Sequence, residues 1–206
     1  MSWMWLVWLA LSVFIVGIFV VTTRALVQQK KAWKAFADKN KLTFVAGKFL
    51  GAATVKGTFQ GYDFLLTSEE REVPDVRGRK YVSVVQFRIP VNMPVVGMVA
   101  SGSMKTIMAE VDAREVFTPT FEGWDSANTI IKTDNQDLIA PYFTPERLRV
   151  LDGLVKQKSV SVLYVFEGQN AFLRLETDDP LLKTEQLEKL TSKLIPMLKA
   201  LSNLST

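Results

Sequence analysis

Three groups of residues have the types and spacing to do chemistry. The stretch Ser101-Gly102-Ser103-Met104-Lys105 offers a hydroxyl and an amine two residues apart. On a strand that spacing places Ser103 and Lys105 on one face, where a desolvated lysine could replace histidine as the base of a Ser–Lys hydrolase. The spacing is not the S-x-x-K signature, and serine beside glycine is common in loops. The adjacent carboxylates Asp178 and Asp179 invite a metal, yet they precede Pro180 and read better as caps of a helix starting there. A charged stretch, "SEEREVPDVRGR" (68–79), carries Arg71, Arg77 and Arg79 ahead of Lys80. Its interspersed acids make it a solvated loop rather than a phosphate trap.

Composition narrows the chemistry further. The 206 residues include no histidine and no cysteine. That removes the commonest general base, the Ser-His-Asp triad, thiolate metal sites and disulfides. No glycine-rich phosphate loop is present. The expectation is a protein without catalytic residues, cofactor or metal.

The strongest signal lies at the N-terminus. From Trp3 to Val21 the chain carries no charge, and as a helix that stretch spans roughly 28 Å, the thickness of a bilayer's hydrocarbon core. Its apolar character continues around the whole helix, which excludes a surface helix with one polar face. Trp3, Trp5 and Trp8 cluster at its start, where indoles favour the membrane–water interface. A cleaved signal peptide would have a basic n-region and a small-x-small site. This stretch has neither, so an uncleaved single span is expected.

The net charge of +4 is unevenly placed. Residues 1–41 hold Arg24, Lys30, Lys31, Lys34, Lys39 and Lys41 against Asp38, a net of +5 that leaves −1 for the remainder. The basicity therefore belongs to a collar beside the span, not to a nucleic-acid surface. Such collars stay cytoplasmic and attract anionic lipid. The expected organisation is a transmembrane helix over 1–23, a basic juxtamembrane helix over 24–41 ending near Asn40, and a soluble domain over 42–206. In that second helix Leu26, Trp33 and Phe36 share one face, suited to docking on the domain or lying on lipid headgroups.

Beyond residue 41 the hydrophobic period becomes two. Strands are expected at 42–45, 53–59, 62–67, in "KYVSVVQFRIPV", at 105–111, 128–133, 159–166 and 171–177, with hairpin turns at Gln60-Gly61 and 167–170. Asp134-Asn135 is placed to cap a short helix, and Thr144 with Pro145 to open another. A last helix from Asp179-Pro180 carries a leucine stripe from Leu187 to Leu204 that would cover the sheet. The predicted fold class is α+β: one N-terminal transmembrane helix, then an antiparallel-sheet domain with late helices.

Two further stretches stand out. Residues 89–104 carry no charge, two prolines, two glycines and three methionines. They suit a buried strand with its connecting loop, or an adaptable apolar patch through which Pro94, Val95, Val96, Met98 and Val99 would contact another membrane subunit. In "FTPTFEGWD", Phe117, Phe121 and Trp124 lie beside acids and read as core plugs.

The stretch "WDSANTIIKTDNQDLIAPYFTPERLRVLDGL", with Trp33-Lys34-Ala35-Phe36-Ala37 and Gly57-Thr58-Phe59-Gln60-Gly61, resembles an uncharacterised bacterial family of inner-membrane proteins. Its members have one N-terminal span and a domain of unknown function. The resemblance implies a bacterial inner-membrane location and brings no catalytic residues. Together these readings favour a non-catalytic accessory or assembly subunit of an inner-membrane complex. Its partners would be membrane lipid and other integral subunits, with a homo-oligomer also compatible. An anchored module binding anionic lipid headgroups is the alternative.

Overall fold

The computed structural model describes residues 3–48, 51–73 and 78–202, with backbone alone for 72, 73 and 78–80. Helix α1 runs unbroken from Met4 to Lys39, roughly 54 Å at 1.5 Å per residue. Its first half is exposed on every side and is long and apolar enough to cross a membrane. Its second half belongs to the domain. Ala32, Trp33, Phe36 and Ala37 are buried there, and Asn40 ends the helix as its C-cap. The stripe of Trp33 and Phe36 therefore docks on protein, not on headgroups.

Among the described residues nine strands follow: β1 (Thr43–Val45), β2 (Thr54–Phe59), β3 (Tyr62–Val73), β4 (Gly78–Pro90), β5 (Gly97–Ser101), β6 (Glu115–Val116), β7 (Thr129–Thr133), β8 (Val160–Glu167) and β9 (Asn170–Thr177). They form one antiparallel sheet in the order β1-β2-β3-β4-β9-β8-β5-β7-β6. Four shorter helices complete the fold: α2 (Ser103–Val111), α3 (Gln136–Ile139), α4 (Pro145–Val155) and α5 (Thr184–Leu201). An α+β protein with a long apolar N-terminal helix is what the period changes predict.

Register follows the pleat. Val85, Phe87 and Ile89 of β4 lie in phase with Leu173 and Leu175 of β9, Tyr164 and Phe166 of β8, and Val99 of β5. All are buried in one core with Trp33 and Phe36 of α1, Leu148 and Leu151 of α4, and Leu187, Leu194 and Leu198 of α5. The second half of α1, with α4 and α5, thus covers one face. On the other, α2 covers the β7-β5-β8 end. Phe117, Phe121 and Trp124 pack against the core edge as expected.

The structure differs from the sequence reading in three stretches. "KTIMAEV" is helix, not strand: it lies over β7, where Lys132 donates to the carbonyls of Ala109 in α2 (3.3 Å) and of Asp112, the C-cap residue. An ammonium at a helix C-terminus stabilises it. Most of the expected loop over 68–79 is strand, because β3 and β4 pair from Asp63↔Arg88 to Val73↔Gly78. Arg77 lies outside the described residues, as does Leu204 of the leucine stripe. Helix α5 begins at Thr184, not at Pro180. Asp179 instead accepts from Leu181 N (2.8 Å) and from Gln186 Nε2 (3.1 Å), fixing the segment ahead of the helix, while Gln186 Oε1 accepts from Lys183 N.

Candidate functional site

The long helix brings together most of the residues marked as membrane-facing. Trp3, Trp5 and Trp8 are exposed near its tip. Arg24, Lys31 and Lys34 are exposed below the apolar half, and Arg24 and Lys31, seven residues apart, share a face. Lys30 turns the other way and donates to Lys48 O at 2.8 Å. Hydrogen bonds tie this junction to the segment ahead of α5 and to its first residue. Trp33 Nε1 donates to Leu181 O (3.2 Å), Gln29 Nε2 to Pro180 O (2.7 Å), and Thr184 Oγ1 to Ala32 O (3.3 Å).

Where α1 leaves the sheet, a cleft of about 380 Å³ opens between the helix, strands β3 and β4, and the 180–182 segment. Phe19, Leu26, Ala52, Tyr81, Pro180 and Leu182 supply most of its apolar lining, with Ser68 and Ser83 between them. Ser68 and Ser83 lie directly opposite each other in the β3–β4 register. Ser83 is 2% exposed, and its Oγ has no hydrogen-bond partner among the described residues. Phe36 packs on Phe64 at 6.0 Å, while Leu26 and Thr22 border Ser68. Helix and strand therefore progress together, and the β3–β4 hairpin leaves the sheet on the side from which the apolar half of α1 emerges.

Sequence reasoning missed this cleft. Its signal is phase: Ser83 occupies the same face as Val85, Phe87 and Ile89, a hydroxyl where a core side chain belongs.

The proposed partner-contact stretch splits. Val95, Met98 and Val99 are buried, β5 being a central strand between β8 and β7, while Val96 is half-buried and Pro94 exposed. The connection is pinned by Val91 N and Met93 N, which donate to Gln169 O and Gly168 O at 3.1 and 2.8 Å. For its buried residues the uncharged run is core, not an outward patch. The core covers β5 on one face and α2 covers it on the other, so its side chains are buried on both.

The Ser–Lys pair does not meet. Both residues lie on α2, where a spacing of two turns side chains about 200° apart. Ser103 Oγ bonds Ser161 Oγ at 2.9 Å, and Lys105 Nζ donates to the carbonyls of Ser126 (3.2 Å) and Ala127. Ser101 Oγ is occupied too, accepting from Val162 N.

On the α2 face the most charged cluster is Arg174 with Glu69 and Glu176, and Arg71 with Glu176. Burial works against the Arg174 charge, but the hydrogen bonds it donates to Glu69 and Glu176 outweigh that and raise its pKa. Near α2, the hydrogen bond from Arg114 holds the Asp112 carboxyl below its usual range. These are paired charges on a sheet surface. Among the described residues no group of three or more acidic side chains could hold a metal. Compared with protein-family models, characterised proteins and solved structures, the chain matches none of them.

Proposed function

We propose that this chain is a non-catalytic, membrane-anchored accessory or assembly subunit of a bacterial inner-membrane complex, its N-terminus outside and its domain in the cytoplasm. The observation that carries this reading is the continuity of α1. One helix is fully exposed over its apolar half and fully buried at Trp33 and Phe36. A membrane-spanning segment and a domain core joined without a linker fix the domain's orientation to the bilayer. A subunit with that constraint presents one constant face to its neighbours. The basic residues following the span favour the cytoplasmic side.

Purification of the tagged full-length protein from its own membranes in mild detergent tests this. Stoichiometric co-purification with other integral membrane subunits is expected, and a lone species of about 23 kDa would overturn the reading. Orientation is tested separately, since a chain without cysteine accepts one at Asn170, the first residue of β9. Labelling by an impermeant thiol reagent in intact cells would reverse the assigned topology.

A second reading, recognition of anionic headgroups, is favoured by the exposed face holding Arg24 and Lys31. Full-length protein in bilayers should then gain salt-sensitive thermal stability when anionic lipid is included. Equal stability in neutral and anionic bilayers would remove it.

A further inference from the structure

We infer that the cleft between α1 and the β3–β4 strands is a lipid site, holding one acyl chain of a membrane phospholipid with its ester carbonyl against Ser83. The inference rests on α1 crossing the bilayer, and it does not depend on the chain having a protein partner.

Position is the first argument. The apolar run ends at Val21, and the cleft is lined by Phe19, Thr22 and Leu26 on either side of that end. A cleft at this level meets the boundary between acyl chains and headgroups, and it is continuous with the helix surface that the acyl chains already cover. Tyr81, 63% exposed at the rim, is a residue that favours that boundary.

Chemistry is the second. The walls are mostly apolar, and the volume of about 380 Å³ is that of a ligand site, not of a packing defect. A buried hydroxyl without a partner costs free energy unless something bonds it. Ser83 Oγ is such a hydroxyl, facing the core side of β4 where its neighbours in phase are Val85 and Phe87. An ester carbonyl is an acceptor without charge, and it lies at the depth where chain meets headgroup. A peptide segment would suit the walls but would bring backbone amides that an almost wholly apolar cleft cannot pair.

The test uses full-length protein reconstituted in bilayers containing a phospholipid with a diazirine near the ester end of one chain. Photolysis followed by peptide mass spectrometry should place adducts on Tyr81, Ser83 and Leu182 several-fold above those on Phe14, which lies on the exposed helix. Ala25→Phe, which fills the cleft from the helix side, should abolish that enrichment and leave labelling of Phe14 unchanged. Ser83→Ala should weaken retention of the lipid through detergent washing by roughly fivefold, the loss of one hydrogen bond. Uniform labelling along the helix would overturn the inference. So would cross-linking of the cleft residues to a second copy or to another polypeptide's helix. Because the wild-type map decides between these outcomes, poor folding of either variant leaves the test intact.

Discussion

Trp33 Nε1 donates a hydrogen bond to the carbonyl of Leu181, 148 residues further along the chain, at 3.2 Å. This one bond ties the helix that emerges as the apolar segment to the loop ahead of α5. The indole is fully buried, so it combines a large packing contribution with a satisfied polar atom.

Replacing Trp33 should separate those two contributions. Trp33→Phe keeps most of the ring and should cost about 1 kcal/mol. Trp33→Ala leaves a cavity and should cost about 3–5 kcal/mol. Denaturant unfolding of the detergent-solubilised protein, followed by circular dichroism, measures both. Equal losses would mean that the hydrogen bond, not the ring, holds the junction.

The charged network on the α2 face should respond unequally. Glu176 is only 4% exposed and is held by both Arg174 and Arg71. Arg174 also binds Glu69, so Arg174→Ala leaves Glu69 without this partner and Glu176 with Arg71 alone, and should destabilise by about 2 kcal/mol. Arg71 is 35% exposed, and its removal leaves Glu176 still paired, so Arg71→Ala should cost about 1 kcal/mol or less. Reversal of that order would contradict the geometry.

Stability should fall at high pH through two tyrosines. Tyr142 OH donates to Leu201 O at 2.9 Å and accepts from Tyr164 OH at 2.6 Å. Burial raises both phenol pKa values, Tyr164 well above 10.0. The folded protein therefore keeps these protons to higher pH than the unfolded chain, whose phenols ionise near about 10. The stabilisation is fully present below about pH 10 and is lost as pH climbs through the raised folded values. Unfolding free energies of wild type and Tyr164→Phe should run parallel from pH 8 to 9.5 and converge above pH 10. Parallel curves throughout would sink this account.

Gly97 has no room for a side chain. A methyl group there would meet the Phe166 ring at 2.6 Å and the Lys132 carbonyl at 2.7 Å. Gly97→Ala should cost about 1–3 kcal/mol by overpacking the centre of the sheet. A thermal melt unchanged from wild type would show that β5 can shift away from β8.

Legibility tracked the range of the interaction involved. The Asn135 and Thr144 caps were readable because each bonds a backbone N–H three residues on, at Leu138 and Arg147. The Ser103–Lys105 geometry was misread because "KTIMAEV" has no strong period of its own. Its helical state depends on Lys132, more than twenty residues away, bonding its C-terminal carbonyls. The strands hidden in 68–79 were masked by charge. Their pairing partners give Arg71 a carboxylate at Glu176, 105 residues distant, and local composition carries no record of that.

By itself the sequence determined the apolar helix, the basic collar, the change to period two and most of the strands, because each depends on neighbours within a turn or a pleat. Tertiary structure alone decided that the second half of α1 is core, that Val95, Met98 and Val99 face inward, and that Ser83 looks into a cleft beside the apolar half of α1. Those outcomes depend on which distant segments meet, and in a nine-stranded sheet the order of strands, not the pattern within any one, sets what covers each residue.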